Sequence, residues 1–125
     1  MYDRKIIKEY KCGMEVTMEI IGGKWKPCLI NYIHSGLKRP NELQKAIPNA
    51  SRRALNIQLN ELEQYGIISK KIFPVLPPKV EYSLTEEGKS LLPITLEMDR
   101  WGMAYKDKFL AIICNIEDKN EVELN

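Results

Sequence analysis

The hydrophobic period of the sequence changes near Gly66 from that of a helix to that of a strand. Before this point Leu55, Leu59 and Leu62 are spaced four and three residues apart, which places them on one side of an α-helix. After it, apolar and polar residues alternate in residues 67–73 and again in 80–84. That alternation is typical of the two strands of a β-hairpin, so the sequence predicts a helix followed directly by a hairpin.

Three shorter helices are predicted before this point, each bounded by glycine or proline. The first ends at Gly22-Gly23, because glycine tolerates the left-handed conformation that a helix stop needs. The second begins near Pro27 and the third is opened by Arg39-Pro40 and stopped by Pro48. We expect Ser51 to cap the fourth helix, which covers about residues 52–65.

A last, long helix follows the hairpin. Thr85 is expected to cap it, and acidic residues follow where the helix dipole favours them. The predicted helix ends at about Ile113, and its interior Gly88 and Pro93 lower its stability, with a kink at Pro93 as one option.

The order of elements predicts a mainly α (α+β) fold, a winged helix-turn-helix with a two-stranded β wing and terminal helices for dimerisation. We expect one domain over residues 1–125. The helix-turn-helix and wing take up about 12–84 and a C-terminal dimerisation helix about 85–113. An acidic tail covers about 115–125, with disorder as an open alternative.

The charge distribution points to a polyanionic partner. The net charge is only +2, but removing residues 115–125 leaves 18 basic and 13 acidic residues, a net of +5. Between Lys38 and Lys79 there are eight basic residues and three acidic ones. Such a basic middle region suits double-stranded DNA, although many exposed basic residues are only solvated surface.

The candidate DNA contacts lie on the third and fourth helices and on the wing. Arginine can bond in a fork to guanine and asparagine to adenine, and the first turn of a helix in the major groove meets base edges. Lysines of a wing and the start of a helix position the protein on phosphates without reading sequence. The candidate residues are Lys38, Arg39, Ser51, Arg52, Arg53, Asn56, Asn60, Lys70, Lys71 and Lys79.

The last helix carries a narrow apolar seam with coiled-coil spacing. The seam consists of Leu91, Ile94, Met98, Trp101, Tyr105 and Phe109. Two copies packing together would cover this surface and would place two reading helices on DNA half-sites, so we expect a homodimer. The open alternative is that the helix folds back onto its own core.

Several other classes fit poorly. The longest apolar runs are too short to span a bilayer, and no export signal is recognisable, so we expect a cytoplasmic protein without membrane contact. No glycine-rich phosphate loop, metal-ligand cluster or activated nucleophile is found, so we expect neither an enzyme nor a metal or other cofactor. The rival reading is a winged-helix module that binds protein, which the basic fourth helix disfavours.

Several motifs together resemble the HxlR-type winged helix-turn-helix transcriptional regulators, which are related to the MarR group. These motifs are Cys12-Gly13-Met14-Glu15, Ile21-Gly22-Gly23-Lys24-Trp25-Lys26, the run 59–68, the wing segment 77–85 and Glu87-Gly88-Lys89-Ser90-Leu91. The resemblance covers about residues 10–110. It implies a dimeric bacterial transcription factor that binds DNA through the fourth helix and the wing, often as a repressor.

The resemblance also makes Cys12 a candidate sensor of oxidants or electrophiles, since some relatives respond through a cysteine near the N-terminus. In those relatives proline often follows the cysteine, whereas Gly13 follows it here. Lys8 and Lys11 would favour the thiolate of Cys12 and Glu15 would oppose it. The alternative is an inert cysteine that packs as a small hydrophobe, as we also expect for Cys28 in the core.

Overall fold

The computed structural model describes the chain from residue 9 to 124, and its side chains from 9 to 121. Five helices and a two-stranded antiparallel sheet follow one another along this part of the chain. In order they are α1 (Gly13–Ile21), α2 (Lys26–Ser35), α3 (Pro40–Ala46), α4 (Arg52–Gln64), β1 (Ile68–Phe73), β2 (Lys79–Leu84) and α5 (Glu86–Leu124). This order confirms the predicted winged helix-turn-helix.

The core forms where α2, α3 and α4 meet the base of the hairpin. The predicted stripe of α4 is confirmed, because Leu55, Leu59 and Leu62 are all buried. They pack with buried residues of the other elements, among them Leu29, Ile30, Ile33, Leu43, Ile47, Ile67, Ile68 and Tyr82. The three helices and the hairpin thus share one small core, which fixes α4 relative to the wing.

The hairpin pairs β1 with β2 in a regular register, from Ile68 opposite Leu84 to Phe73 opposite Lys79. The hairpin is joined to the segment between α2 and α3, because the backbone N–H of Tyr82 donates to the carbonyl of Lys38 at 2.8 Å. The far end, residues 74–78, leaves the core and is exposed to solvent. The hairpin therefore projects from the domain as a wing.

The predicted helix caps are present, with one correction. Ser51 Oγ accepts a hydrogen bond from the Ala54 N–H, and Thr85 Oγ1 accepts one from the Gly88 N–H, both at 3.0 Å. The prediction that Gly22 ends α1 in a left-handed conformation is wrong, since its φ is −77°. Glycine is needed there because a Cβ atom would collide with the carbonyl oxygen of Met18.

Helix α5 is longer than the sequence analysis predicted. It continues past Ile113 to Leu124 and so includes most of the acidic segment. Neither glycine nor proline follows Gly102, so no residue interrupts the backbone hydrogen bonds. At about 1.5 Å per residue, its 39 residues span roughly 58 Å, and Pro93 lies inside the helix.

Candidate nucleic-acid interface and pairing surface

The solvent-facing side of α4 carries three of the predicted base-reading residues. Arg53, Asn56 and Asn60 are exposed, and all three lie away from the buried leucine stripe. The sequence analysis missed Ile57, which is four residues after Arg53 and is 48% exposed. An apolar residue on the polar side of an amphipathic helix is the signal that marks it, and such a side chain suits a thymine methyl group.

Arg52 is placed differently from Arg53. Its guanidinium Nη1 donates to Asn41 Oδ1 of α3 at 3.0 Å, so it links the two helices of the helix-turn-helix. The pKa of the Tyr82 phenol is raised, mainly by burial and further by the Glu63 carboxylate, and the nearby Arg52 guanidinium partly opposes this rise. In the free protein Arg52 therefore holds α4 to its neighbours, while Arg53 extends into solvent.

The remaining helix residues of the predicted set surround the start of α3 and of α4. Lys38 and Ser51 are exposed. Arg39 lies 3.4 Å from the carboxylate of Glu81 on β2, and its backbone N–H donates to the Glu42 side chain at 3.0 Å. The start of α3 is thus fixed to the wing, which places Lys38 and Arg39 between the two elements.

The wing lysines lie on both faces of the hairpin and do not form one patch. Lys70 is opposite the buried Tyr82 and shares its face, whereas Lys71 is opposite Glu81 on the other face. Lys79 is opposite Phe73 and belongs to the same face as Lys71. All three lysines are exposed, so each face of the wing presents a positive charge.

A buried latch joins the turn between α1 and α2 to α4. Lys26 is only 4% exposed, and its Nζ lies 2.9 Å from Oε2 of Glu61 and 5.2 Å from the ring centre of Tyr65. One residue earlier, the Trp25 N–H donates to Oε1 of Gln58 at 2.8 Å. The sequence analysis did not identify this latch, because an isolated lysine in a basic chain gives no sign of burial.

The apolar seam of α5 is mostly uncovered in the single chain. Ile94, Met98, Trp101, Tyr105 and Phe109 are between 36% and 66% exposed, and the Trp101 and Tyr105 rings stack with centres 5.1 Å apart. The exception is Leu91, assigned to the seam from its spacing, which packs on the core of its own domain. It lies where α5 still touches α2 and the hairpin base, so the uncovered seam begins at Ile94.

Further apolar surface surrounds the seam. Ile112 and Ile116 continue it toward the C-terminal end of α5, and they are 44% and 48% exposed. Met14 and Met18, one turn apart on α1, are 70% and 54% exposed. Exposed apolar residues at this density on two terminal helices are typical of a surface that another protein chain covers.

The three cysteines are free and exposed. Cys12 is the N-cap residue of α1, and of the two lysines considered for it, Lys8 lies outside the described residues. The expectation of a core position for Cys28 is wrong, since it faces outward from α2. Partial burial raises the pKa of its thiol above the usual range, and the nearby Asp99 carboxylate raises that pKa further.

The described residues hold no group of three or more His, Cys, Asp or Glu side chains placed to bind a metal ion. Within the same part of the chain, no helix has the length and apolar character needed to cross a membrane.

Comparison with known proteins now adds to this geometry. Residues 20–109, from the end of α1 to the middle of α5, match the HxlR-like helix-turn-helix family. The chain belongs to the HxlR-like helix-turn-helix family. The matched segment of this HxlR-like protein contains the latch, the reading face of α4, both wing strands and the uncovered seam from Ile94 to Phe109.

Relatives of this HxlR-like protein are regulators of transcription. It is 45% identical to the HTH-type transcriptional regulator YdeP of Bacillus subtilis, over 95% of this chain and 99% of that protein. Among solved structures, the redox regulator HypR in its reduced form is 43% identical, with a TM-score of 0.74 over 80% of this chain and 99% of that one. Diamide-treated YodB from B. subtilis is 34% identical, with a TM-score of 0.62 over 78% of this chain and 97% of that one.

These findings confirm the resemblance drawn from the sequence motifs. The protein is a transcriptional regulator of the helix-turn-helix type, and its family and named relatives are regulators and not enzymes.

Proposed function

We propose that this protein is a sequence-specific DNA-binding repressor that acts as a homodimer. The observation that carries the proposal is the exposed side of α4, where Arg53, Asn56, Ile57 and Asn60 form one stripe on a helix that its own core holds from behind. Such a stripe offers a forked donor, two amide groups and an apolar contact, which are the chemical means of reading base pairs in the major groove.

Phosphate contacts would orient this stripe on the duplex. Lys38 and Arg39 lie beside the wing, and Ser51 caps the start of α4, where backbone N–H groups favour a phosphate. Lys70, Lys71 and Lys79 would contact the backbone beside a neighbouring groove. These residues supply affinity that depends on salt, whereas base choice is assigned to α4.

Pairing through the seam of α5 would bring two copies of α4 to one DNA molecule. The uncovered apolar surface on α5 and α1 supports this arrangement, because water is an unfavourable partner for it. Two half-sites about one helical turn apart would then be bound together. A dimer seated on its operator excludes polymerase from the same DNA, which is why we propose repression.

We also propose Cys12 as the sensor residue. Its thiol is free and exposed at the start of α1, the helix that also carries the exposed Met14 and Met18. HypR is named a redox regulator and was solved in oxidized and reduced forms, and YodB was solved after diamide treatment. An oxidant such as diamide would take two electrons and two protons from the Cys12 thiols of the two copies and join them in a disulfide. This bond would change the packing of α1 and thereby the spacing of the two reading helices.

A gel-shift experiment with DNA from upstream of the protein's own gene tests these proposals. We expect specific binding that weakens steeply with salt, that Arg53→Ala greatly reduces, and that diamide abolishes in the parent but not in Cys12→Ser. The matched control for Arg53→Ala is Arg100→Ala, which removes the same charge from α5. Equal operator binding by Arg53→Ala and the parent would overturn the reading face, and no DNA binding at any salt would favour the protein-binding module.

A further inference from the structure

The tip of the wing is apolar and unusually exposed. Residues 74–78 contain three prolines, a valine and a leucine, and no polar side chain. Leu76 is 97% exposed and Val75 is 46% exposed, so in the described chain Leu76 is almost wholly uncovered and Val75 is about half covered. Exposing these residues to water does not stabilise the fold, so we expect a binding partner to cover the tip.

The tip has almost no capacity to donate hydrogen bonds. Proline lacks a backbone N–H, and the Val75 N–H already donates to the carbonyl of Phe73 at 2.9 Å. Only the backbone N–H of Leu76 remains. The tip therefore cannot grip phosphates or read base edges by hydrogen bonds, and what it offers a partner is shape and apolar surface.

The charges behind the tip point to the kind of partner. Lys70 lies on one face of the hairpin, and Lys71 and Lys79 lie on the other. A flat anionic surface would meet only one of these faces. A hairpin that enters a narrow groove between two rows of phosphates would use both, and the minor groove of DNA, about 6 Å wide, is bounded in this way.

We infer that, with the wing in the minor groove, the Leu76 side chain acts as an apolar wedge against a base step. Apolar wedges from the minor groove partly unstack a step and bend the duplex toward the major groove. The contacted step would be a pyrimidine–purine step, because such steps unstack easily. A·T pairs would flank it, because they lack the guanine amino group that projects into the minor groove. This inference rests on the proposed DNA binding.

The wedge would give the protein a second source of specificity. The stripe on α4 would read base edges in the major groove. The wing would instead favour sequences in which a neighbouring base step, not contacted by α4, deforms easily. The three lysines would hold the hairpin between the phosphate rows, and the prolines would keep the tip stiff enough to transmit force to the step.

The experiment compares Leu76→Ser with Ile72→Thr in the full chain. Ile72 is 60% exposed and lies on the same hairpin below the tip, so it is a matched control that also loses exposed apolar surface. Neither side chain is buried, so both variants are expected to keep the fold. The DNA is a fragment from upstream of the protein's own gene, trimmed to the footprint of the parent and labelled at both ends for energy transfer.

We expect the parent to bend this DNA. Leu76→Ser should lose the bend and at least about tenfold in affinity, because the complex no longer buries a leucine side chain at the base step. The salt dependence should stay the same, because the phosphate contacts remain. Ile72→Thr should behave as the parent. A 2-aminopurine placed at the contacted step should brighten with the parent and stay dark with Leu76→Ser.

Unchanged bend and affinity in Leu76→Ser would overturn the wedge while leaving the DNA-binding function intact. Absence of specific binding by the parent would instead overturn the proposed function and the wedge with it. An affinity loss of equal size in both variants, with no bend in the parent, would assign the tip to general packing and also overturn the wedge.

Discussion

The Nζ atom of Lys26 lies 2.9 Å from Oε2 of Glu61, with the lysine side chain 5% exposed and the glutamate side chain 37% exposed. The two residues lie 35 positions apart, one at the start of α2 and one on the reading helix. Together with the bond from the Trp25 N–H to Gln58, this pair attaches α4 to the turn that follows α1. The contact connects the helix assigned to base reading with the start of α2, which follows α1 and its N-cap residue Cys12 after a short turn.

The two halves of this pair should contribute unequally to stability. Glu61→Gln leaves a buried ammonium without its partner charge, and we expect a loss of about 2–3 kcal/mol, below the range for fully buried pairs because Glu61 is partly exposed. Lys26→Met keeps most of the packing and leaves a carboxylate that reaches water, so we expect less than about 1 kcal/mol. Urea unfolding measures both, with Lys89→Met as the control for a lost exposed pair. Equal losses would contradict the asymmetric burial.

Replacing Gly88 near the start of α5 by alanine should destabilise the protein, although helix propensity alone predicts the opposite. Replacing a helical glycine by alanine ordinarily stabilises a helix by up to about 1 kcal/mol. At Gly88 a Cβ atom would collide with the carbonyl oxygen of Ile67, so we expect Gly88→Ala to destabilise the protein by about 1–3 kcal/mol. Gly102→Ala in the same helix meets nothing within 4 Å and serves as the control. A stabilising Gly88→Ala in urea unfolding would rule out the close contact.

The seam of α5 should control the oligomeric state. A glutamate at position 101 would have to be buried without a partner in the proposed dimer, so we expect Trp101→Glu to raise the dimer dissociation constant by at least about a hundredfold. Met103→Glu adds the same charge to an exposed position on the opposite side of the helix and should leave the dimer intact. Sedimentation velocity measures both, and a Trp101→Glu dimer of unchanged strength would remove the seam from the interface.

The thiol of Cys28 should react only at elevated pH. Burial and Asp99 both raise its pKa, which means that less thiolate is present at a given pH and that alkylation accelerates only as the pH rises through the raised value. In a variant with Cys12 and Cys114 replaced by serine, Asp99→Asn should shift the rate profile to lower pH, though not fully to that of a free thiol because the burial remains. An identical profile with and without Asp99 would show that this carboxylate has no influence.

The sequence alone determined the order of elements and the core of α4. The four-and-three spacing of Leu55, Leu59 and Leu62 and the change of period after Gly66 depend on local repeats, which the chain shows directly. The caps at Ser51 and Thr85 could also be predicted from the sequence, because each cap side chain bonds a backbone N–H only three residues further along the chain. The spacing of the α5 seam also follows from one helix.

Only the tertiary structure decided what each side chain meets across the fold. It buried Lys26 on Glu61, turned Arg52 toward Asn41 and moved Leu91 from the seam to its own core. It also divided the wing lysines between two faces and left Leu76 uncovered at the tip. These outcomes depend on partners far away in the sequence and on which surfaces the packed elements hide, and a periodic pattern carries no information about either.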